Sequence, residues 1–181
     1  LLYARTKAVE GLQVRSNTVL GSGAQGTGAI AFTINNPFLT PAAITALSSA
    51  RPQFAAGAPL FLSKVFYDLT PDNDRVHTTE TYRGLLALEG KFGLGDRQFD
   101  WSVSGSYARV DGEQRAWGVI LNKYNNAISA ARNSAGQIVC SINADSVTTN
   151  DDPSCSPINP FGMGNVSAAA RNYVSALSGS K

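Results

Sequence analysis

His77 is the side chain with the widest chemical range in this chain, because it is the single histidine among 181 residues. One histidine without a cysteine cluster does not make the usual zinc site, which takes four nitrogen or sulfur ligands. It also limits Ser-His-Asp catalysis to one base, and no serine lies in the Gly-x-Ser-x-Gly turn that presents a nucleophile. The sequence therefore predicts no enzyme, no catalytic residue, no metal site and no cofactor. A hydrolase whose site is spread over loops around His77 is a third-ranked hypothesis.

Four aspartates carry the carboxylate that calcium prefers: Asp72, Asp74, Asp151 and Asp152. The EF-hand loop requires glycine at its sixth position and glutamate at its twelfth. Counted from Asp72, these positions hold His77 and Arg83, so the motif fails. Solvated turn carboxylates are the simpler interpretation, and a looser calcium site in an outer loop is the alternative.

The segment Gly21-Ser22-Gly23-Ala24-Gln25-Gly26 matches the G-x-G-x-x-G pattern of dinucleotide sites. That motif needs a helix opening on it and an acidic residue about 20 positions further on. Residues 27–34 read as strand or loop, and no Asp or Glu occurs between Glu10 and Asp68. The pattern therefore predicts a flexible polar loop instead of a nucleotide site.

Cys140 and Cys155 are the two cysteines, and the sequence between them is polar. A disulfide here would close a loop of about 15 residues, worth roughly 3 kcal/mol in the chain-entropy model. The segment is too polar to hide free thiols in a core. We expect a disulfide and an oxidising compartment such as the periplasm or the cell surface. Two free thiols in a reducing compartment are the alternative.

The chain carries little charge: charged residues make up 15%, against about 25% in an average soluble domain, and the net charge is +2. Lys and Arg are scattered, which excludes a nucleic-acid-binding patch. No apolar run approaches the roughly 20 residues of a membrane helix. No signal peptide is present and the chain begins at Leu1, so a fragment or a processed product is expected.

Two segments, Tyr82–Phe92 and Phe99–Tyr107, alternate between apolar and polar residues, which is the period of a strand with two different faces. The short Gly-rich segment 93–97 between them is typical of a hairpin turn. One long antiparallel hairpin over about 76–110 is therefore expected. Its apolar stripe contains Tyr82, Leu86, Leu88, Phe92, Phe99, Trp101, Val103 and Tyr107. Its polar stripe contains Arg83, Ala87, Glu89, Lys91, Asp100, Ser102, Ser104 and Ser106, with Leu85 as an apolar exception.

The aromatic residues of the apolar stripe lie at its two ends. Tyr82 and Phe92 are ten residues apart, which corresponds to roughly 24 Å of height for a strand tilted by 40–45°. Outer-membrane barrels have an apolar band about 25 Å tall between aromatic girdles. Small serines on the other face favour a water-lined lumen, and Arg83, Glu89 and Lys91 there are expected to form ion pairs that stiffen a wall. A β-sandwich with aromatics in its core is the alternative.

The flanking segments predict long loops, about 11–59 and 111–181, with short elements inside them. Helices are expected at Pro41–Ala50 with Thr40 as cap, at Asn126–Arg132, and after the cap Ser167. Extended pieces are expected at residues 2–12, 60–67 and 137–140. One tight turn between very long connections is typical of outer-membrane barrels.

Several phrases taken together are similar to the barrel of TonB-dependent outer-membrane receptors. They are 36–43 (NPFLTPAA), 81–90 (TYRGLLALEG), 101–107 (WSVSGSY), 139–140 (VC), 155–162 (CSPINPFG) and 168–173 (AAARNY). The resemblance implies an all-β fold, made of antiparallel hairpins of a large transmembrane β-barrel with short helices in long outer loops. Residues 1–181 would form part of one 22-stranded β-barrel domain, with about four strands here and the plug domain absent.

The resemblance also implies a function and partners. The protein would be a receptor for active transport of a siderophore, vitamin or carbohydrate in the bacterial cell outer membrane. Its partners would be outer-membrane lipid, a small extracellular ligand bound by unidentified residues, and the TonB energising complex, reached through parts of the parent chain not present here. Lipid would contact Tyr82, Leu86, Leu88, Phe92, Trp101 and Tyr107. A secreted, disulfide-containing β-rich ligand-binding module is the alternative.

Overall fold

The chain folds as a β-rich protein with a main antiparallel sheet and few helices. The computed structural model describes residues 1–11, 15–16 and 29–180. The strands are β1 (Leu2–Glu10), β2 (Arg15–Ser16), β3 (Ile30–Phe32), β4 (Leu60–Leu62), β5 (Val65–Phe66), β6 (Arg75–Leu94), β7 (Arg97–Val119), β8 (Ala130–Arg132), β9 (Ile138–Cys140) and β10 (Ser175–Ser180). The helices are α1 (Pro41–Ala50), α2 (Pro52–Ala55), α3 (Leu121–Ile128) and α4 (Ala168–Val174).

The described residues separate into two compact units. The first, called the sheet unit here, takes its residues from Leu1–Gly11, Arg75–Ala116 and Gly179–Lys181. The second, called the loop unit, takes its residues from Leu12–Asp74 and Trp117–Ser178.

The main sheet has the strand order β1-β6-β7-β10. Strands β6 and β7 form the predicted hairpin, and their pairing continues past its expected limits, from Arg75↔Ala116 down to Leu94↔Arg97. Gly95 has a φ of 61°, a left-handed conformation that glycine adopts without strain, so the chain reverses within two residues. Strand β1, also expected from the sequence, pairs with the distal half of β6 from Leu2↔Arg83 to Glu10↔Arg75.

The loop unit has its own hydrophobic core. Helix α3 contributes Tyr124 and Ala127, whose spacing of three residues places both side chains on one helix face. Other buried members of this core are Ile30, Phe66, Leu69, Ile158, Val166, Ala170, Tyr173 and Val174. Phe66 packs edge-on against Tyr124, with ring centroids 6.1 Å apart. The loop unit is therefore a packed body and not an open loop.

Two of the three expected helices are confirmed with their caps. Thr40 Oγ1 accepts a hydrogen bond from the Ala43 amide at 3.2 Å, and Ser167 Oγ accepts one from the Ala170 amide at 3.1 Å. Both satisfy first-turn amides that have no partner inside the helix. None of the helices in the described ranges is long and apolar enough to cross a membrane.

The helix expected at Asn126–Arg132 is wrong in its limits. Helix α3 begins earlier, at Leu121, and ends at Ile128, while residues 130–132 form strand β8 paired with β9. The reason is a turn at Asn133. Asn133 Oδ1 accepts from the amides of Ala135 at 3.1 Å and Gln137 at 2.9 Å, which reverses the chain and pairs the strands on either side.

Candidate functional surface

The apolar residues of β6 and β7 form one continuous surface, called the apolar face here. It consists of Tyr82, Leu86, Leu88, Phe92, Phe99, Trp101, Val103 and Tyr107. Residues directly opposite each other in an antiparallel pair point to the same side of the sheet. The register opposes Leu88 to Val103 and Phe92 to Phe99, so both stripes lie on one side as their alternation predicts.

All eight side chains of the apolar face are exposed, from 39% for Tyr82 to 69% for Leu86. A monomeric water-soluble protein rarely leaves such a contiguous apolar area uncovered, because each side chain gains free energy on leaving water. The apolar face is therefore a candidate surface for contact with lipid or with another protein.

Glycines on the apolar face stand opposite its large residues. The register pairs Gly90 with Trp101, Gly84 with Tyr107 and Gly105 with Leu86. The closest pair is the first, because a Cβ built on Gly90 would lie 2.6 Å from the Trp101 indole. The indole therefore covers the Gly90 backbone, which keeps this part of the face flat and apolar.

Aromatic pairs mark both ends of the apolar face. Near the turn, the rings of Phe92 and Phe99 stack with centroids 5.2 Å apart. At the other end, Tyr82 meets Tyr3 of β1 at 5.1 Å. The aliphatic residues lie between these two aromatic rows, which is the order of side chains found across an apolar slab with two polar boundaries.

Charged residues take over on the same side of the sheet from the row of the Tyr3–Tyr82 pair onward, where Arg109 lies opposite Tyr82. This charged belt consists of Arg5, Lys7, Glu80, Arg109, Asp111, Glu113 and Arg115, as the register places them. Its members bond mainly to each other: Arg5 Nε lies 3.4 Å from Glu80, Arg109 Nε donates to Asp111 at 2.9 Å, and Arg115 Nε donates to Glu113 at 2.8 Å. The belt has no local signature in the sequence, because it becomes continuous only when β1 pairs with β6.

The opposite side of the sheet is mainly polar, as the alternation predicts, and Leu85 and Val110 are its exposed apolar exceptions. Lys91 and Asp100, cross-strand partners, form an ion pair at 3.1 Å. Within the described residues, Arg83 and Glu89 form no ion pair, so the expected ion-pair series is reduced to Lys91 and Asp100. Small serines and alanines fill the middle of this side, leaving room for water or for another chain segment close to the sheet.

His77 lies on the polar side near the end of the hairpin. Its Nε2 is 3.8 Å from Glu10 Oε2, and Arg75 approaches the same carboxylate at 3.7 Å. A shallow hollow of about 200 Å³ contains both His77 and Ser180. Among the described residues no hydrogen bond joins these two side chains, so the hollow lacks the contact that would activate a serine.

The predicted disulfide between Cys140 and Cys155 is present, with their Cα atoms 6.2 Å apart. Asn143 braces the loop that it closes, because its side-chain amide accepts from the Asp152 amide at 2.8 Å and donates to the Asp152 carbonyl at 2.7 Å. Hydrogen bonds from Ser154 and from the Tyr173 hydroxyl lower the pKa of the Asp152 carboxyl. The loop is thus held by one covalent bond and a local polar network.

The aspartates considered as calcium ligands do not form one site among the described residues. Asp72 caps its own turn by accepting from the Asp74 amide at 2.9 Å, and Asp152 is committed to the loop described above. In the ranges that the structure covers, no three side chains of His, Cys, Asp or Glu are grouped as metal ligands would be. The Gly-rich segment 21–26 lies outside the described residues.

An open groove of about 480 Å³ in the loop unit is the other concave feature that bears on ligand binding. Its polar and aromatic lining comprises Phe32, Thr33, Asn35, Asn36, Ser129 and Arg132. Arg132 is anchored there, donating to the carbonyls of Gly136 at 2.8 Å and Pro37 at 3.3 Å. Amides, hydroxyls and one aromatic ring suit a small polar ligand.

Comparison of this chain with protein families, with curated proteins and with solved structures gives no match.

Proposed function

We propose that this chain is a segment of an outer-membrane TonB-dependent receptor that takes up a nutrient such as a siderophore, vitamin or carbohydrate. The observation that carries the proposal is the apolar face, because it is exposed along its whole length and bounded by aromatic rows. Lipid chains would cover it in a membrane. The sheet unit would then form part of the wall of a large transmembrane β-barrel.

The dimensions of the apolar face support lipid as its environment. Tyr82 and Phe92 are ten residues apart on β6, and this corresponds to roughly 24 Å of height at the usual strand tilt. The apolar band of an outer-membrane barrel is about 25 Å tall. Strand β6 has 20 residues and β7 has 23, so both would extend beyond the bilayer on the side away from the turn.

The two sides of the hairpin support a wall between lipid and water. The polar side, with its serines and its Lys91–Asp100 pair, would line the lumen. The loop unit would contribute to ligand recognition outside the cell, where its disulfide is stable. The TonB energising complex would act on parts of the parent chain beyond these residues.

Site-directed spin labelling tests which environment each side of β6 meets. Single cysteines would replace Leu86 and Leu88 on the apolar face, and Ala87 and Glu89 on the polar side, each carrying a nitroxide. The protein would be reconstituted in phosphatidylcholine vesicles. We expect oxygen, which concentrates in lipid, to relax the labels at 86 and 88, and a water-soluble nickel chelate to relax those at 87 and 89. Equal access of the chelate to all four labels would contradict the proposal.

A secreted, disulfide-containing ligand-binding module is the second candidate function, and one observation favours it. The loop unit has its own buried core and a disulfide, as small secreted domains do. In that case the protein would stay in the aqueous phase when mixed with vesicles. All four labels would then keep the same accessibility with and without lipid.

A further inference from the structure

Three cations of the charged belt lie in successive rows of the sheet, starting at the aromatic boundary. Arg109 is directly opposite Tyr82. One row further, Arg5 is opposite Glu80, and two rows further Lys7 is opposite Thr78. Because all three occupy the side of the sheet that carries the apolar face, a membrane that covered that face would bring its surface to these cations.

Two of these cations contact carboxylates of the same belt. Arg5 and Arg109 each use Nε, towards Glu80 at 3.4 Å and towards Asp111 at 2.9 Å. In the part of the chain that is described, Lys7 Nζ makes no hydrogen bond or ion pair. Unused donors of a guanidinium form a planar fork that suits phosphate oxygens.

The belt carries a small positive balance, with four cations and three carboxylates. A furrow of about 540 Å³ runs through it and is lined by Arg5, Thr78, Glu80, Arg109, Asp111 and Glu113. The three carboxylates would repel a phosphate, so binding requires that the guanidinium groups and Lys7 Nζ extend closer to the phosphate than the carboxylates do. Their long side chains permit this, because Arg5 and Arg109 are each 62% exposed.

The spacing of the cations along the strands is comparable with the thickness of the headgroup layer of a bilayer. Each row adds two residues, or about 5 Å of height for a strand tilted by 40–45°. Lys7 would thus lie about 5 Å further from the apolar face than Arg5 on the same strand. The headgroup layer of a typical bilayer is about 5–8 Å thick on each side, so one row spans most of it.

We propose that Arg5, Lys7 and Arg109 bind the phosphate groups of anionic membrane lipids and so fix the depth of the sheet in the bilayer. This inference rests on the proposed function, because only a membrane that covers the apolar face brings headgroups to this belt. Each basic side chain near an anionic membrane surface raises the affinity of a protein for that membrane by a factor of about five. The three together should raise it about a hundredfold.

Vesicle binding with two matched triple variants tests the inference. One variant changes Arg5, Lys7 and Arg109 to Gln, and the control changes Arg75, Arg83 and Lys91 on the polar side to Gln. Each loses two arginines and one lysine, so their net charges are equal. The full chain is titrated with phosphatidylcholine vesicles and with vesicles containing about one third phosphatidylglycerol, and bound protein is separated by sedimentation. Lys7→Gln and Arg83→Gln, neither of which removes an ion pair among the described residues, form a second matched pair.

The wild type and the control triple variant should bind the anionic vesicles far more tightly than the neutral ones, and the belt variant should lose about a hundredfold of that preference. Lys7→Gln should lose about fivefold and Arg83→Gln nothing. Equal losses in the two triple variants, or suppression of the preference by millimolar inorganic phosphate, would overturn the inference. If the wild type binds neutral and anionic vesicles equally well, the lipid-phosphate inference is overturned and the proposed function stands. If it does not bind neutral vesicles, the proposed function is refuted as well.

Discussion

A positive charge in the middle of the apolar face should prevent its entry into a membrane while leaving the protein folded in water. Leu88 is the position to change, because it lies six residues from Tyr82 and four from Phe92. At the usual strand tilt this places it about 2 Å from the midpoint of the apolar band. The variant is Leu88→Arg, and Ala87→Arg on the polar side is its control.

The expected magnitude follows from the exposure of Leu88. Its side chain is 57% exposed, so the substitution changes the free energy of unfolding in water by only about 0.5 kcal/mol. In a bilayer, an arginine on the lipid side near the midplane costs about 2–4 kcal/mol. The partition coefficient into neutral vesicles should therefore fall by about 30- to 900-fold. Ala87→Arg carries the same charge to the other side of the sheet and should leave the coefficient nearly unchanged.

Partitioning is measured with phosphatidylcholine vesicles, using sedimentation and the tryptophan fluorescence, to which Trp101 on the same face and Trp117 both contribute. Circular dichroism in water would show that both variants keep the strand content of the wild type. If Leu88→Arg and Ala87→Arg partition equally well, no lipid covers the apolar face and the barrel-wall reasoning fails.

Three further outcomes are expected. Gly90→Ala should shift the Trp101 emission and destabilise the sheet by about 1–3 kcal/mol, because the new Cβ would lie 2.6 Å from the indole. Gly84→Ala is the control: there is open space around Gly84, so this variant should change neither the emission nor the stability. Replacing both cysteines by serine should lower the free energy of unfolding, measured with denaturant, by about 3 kcal/mol, and an unchanged midpoint would refute the stabilising role. Because the pKa of Asp152 is lowered in the folded state, its stabilisation is present above its ordinary value of 3.8 and is lost as the pH falls below it. Melting curves from pH 6 to pH 2 should thus decline less for Asp152→Asn than for the wild type.

Local sequence patterns were sufficient for the elements whose determinants lie within a few residues. Period-two alternation predicted both strands of the hairpin and the side of each residue, because side chains alternate along an extended chain wherever it lies. Thr40 and Ser167 predicted helix starts, since a cap acts on amides two or three residues away. The polar sequence between the cysteines favoured the disulfide that the structure contains, although Cys140 itself is fully buried, contrary to the expectation that the segment keeps its cysteines out of a core.

Tertiary structure decided whatever depends on pairing between distant residues. The register places Trp101 over Gly90 and brings β1 beside β6, and no local pattern specifies which residues meet across strands. The charged belt exists only through that pairing. Helix α3 and strand β8 divide the segment that composition assigned to one helix, because the core contacts of Tyr124 and the Asn133 turn outweigh the local helix preference. Sequence thus determined the two faces of the hairpin, and long-range pairing decided which residues share a surface.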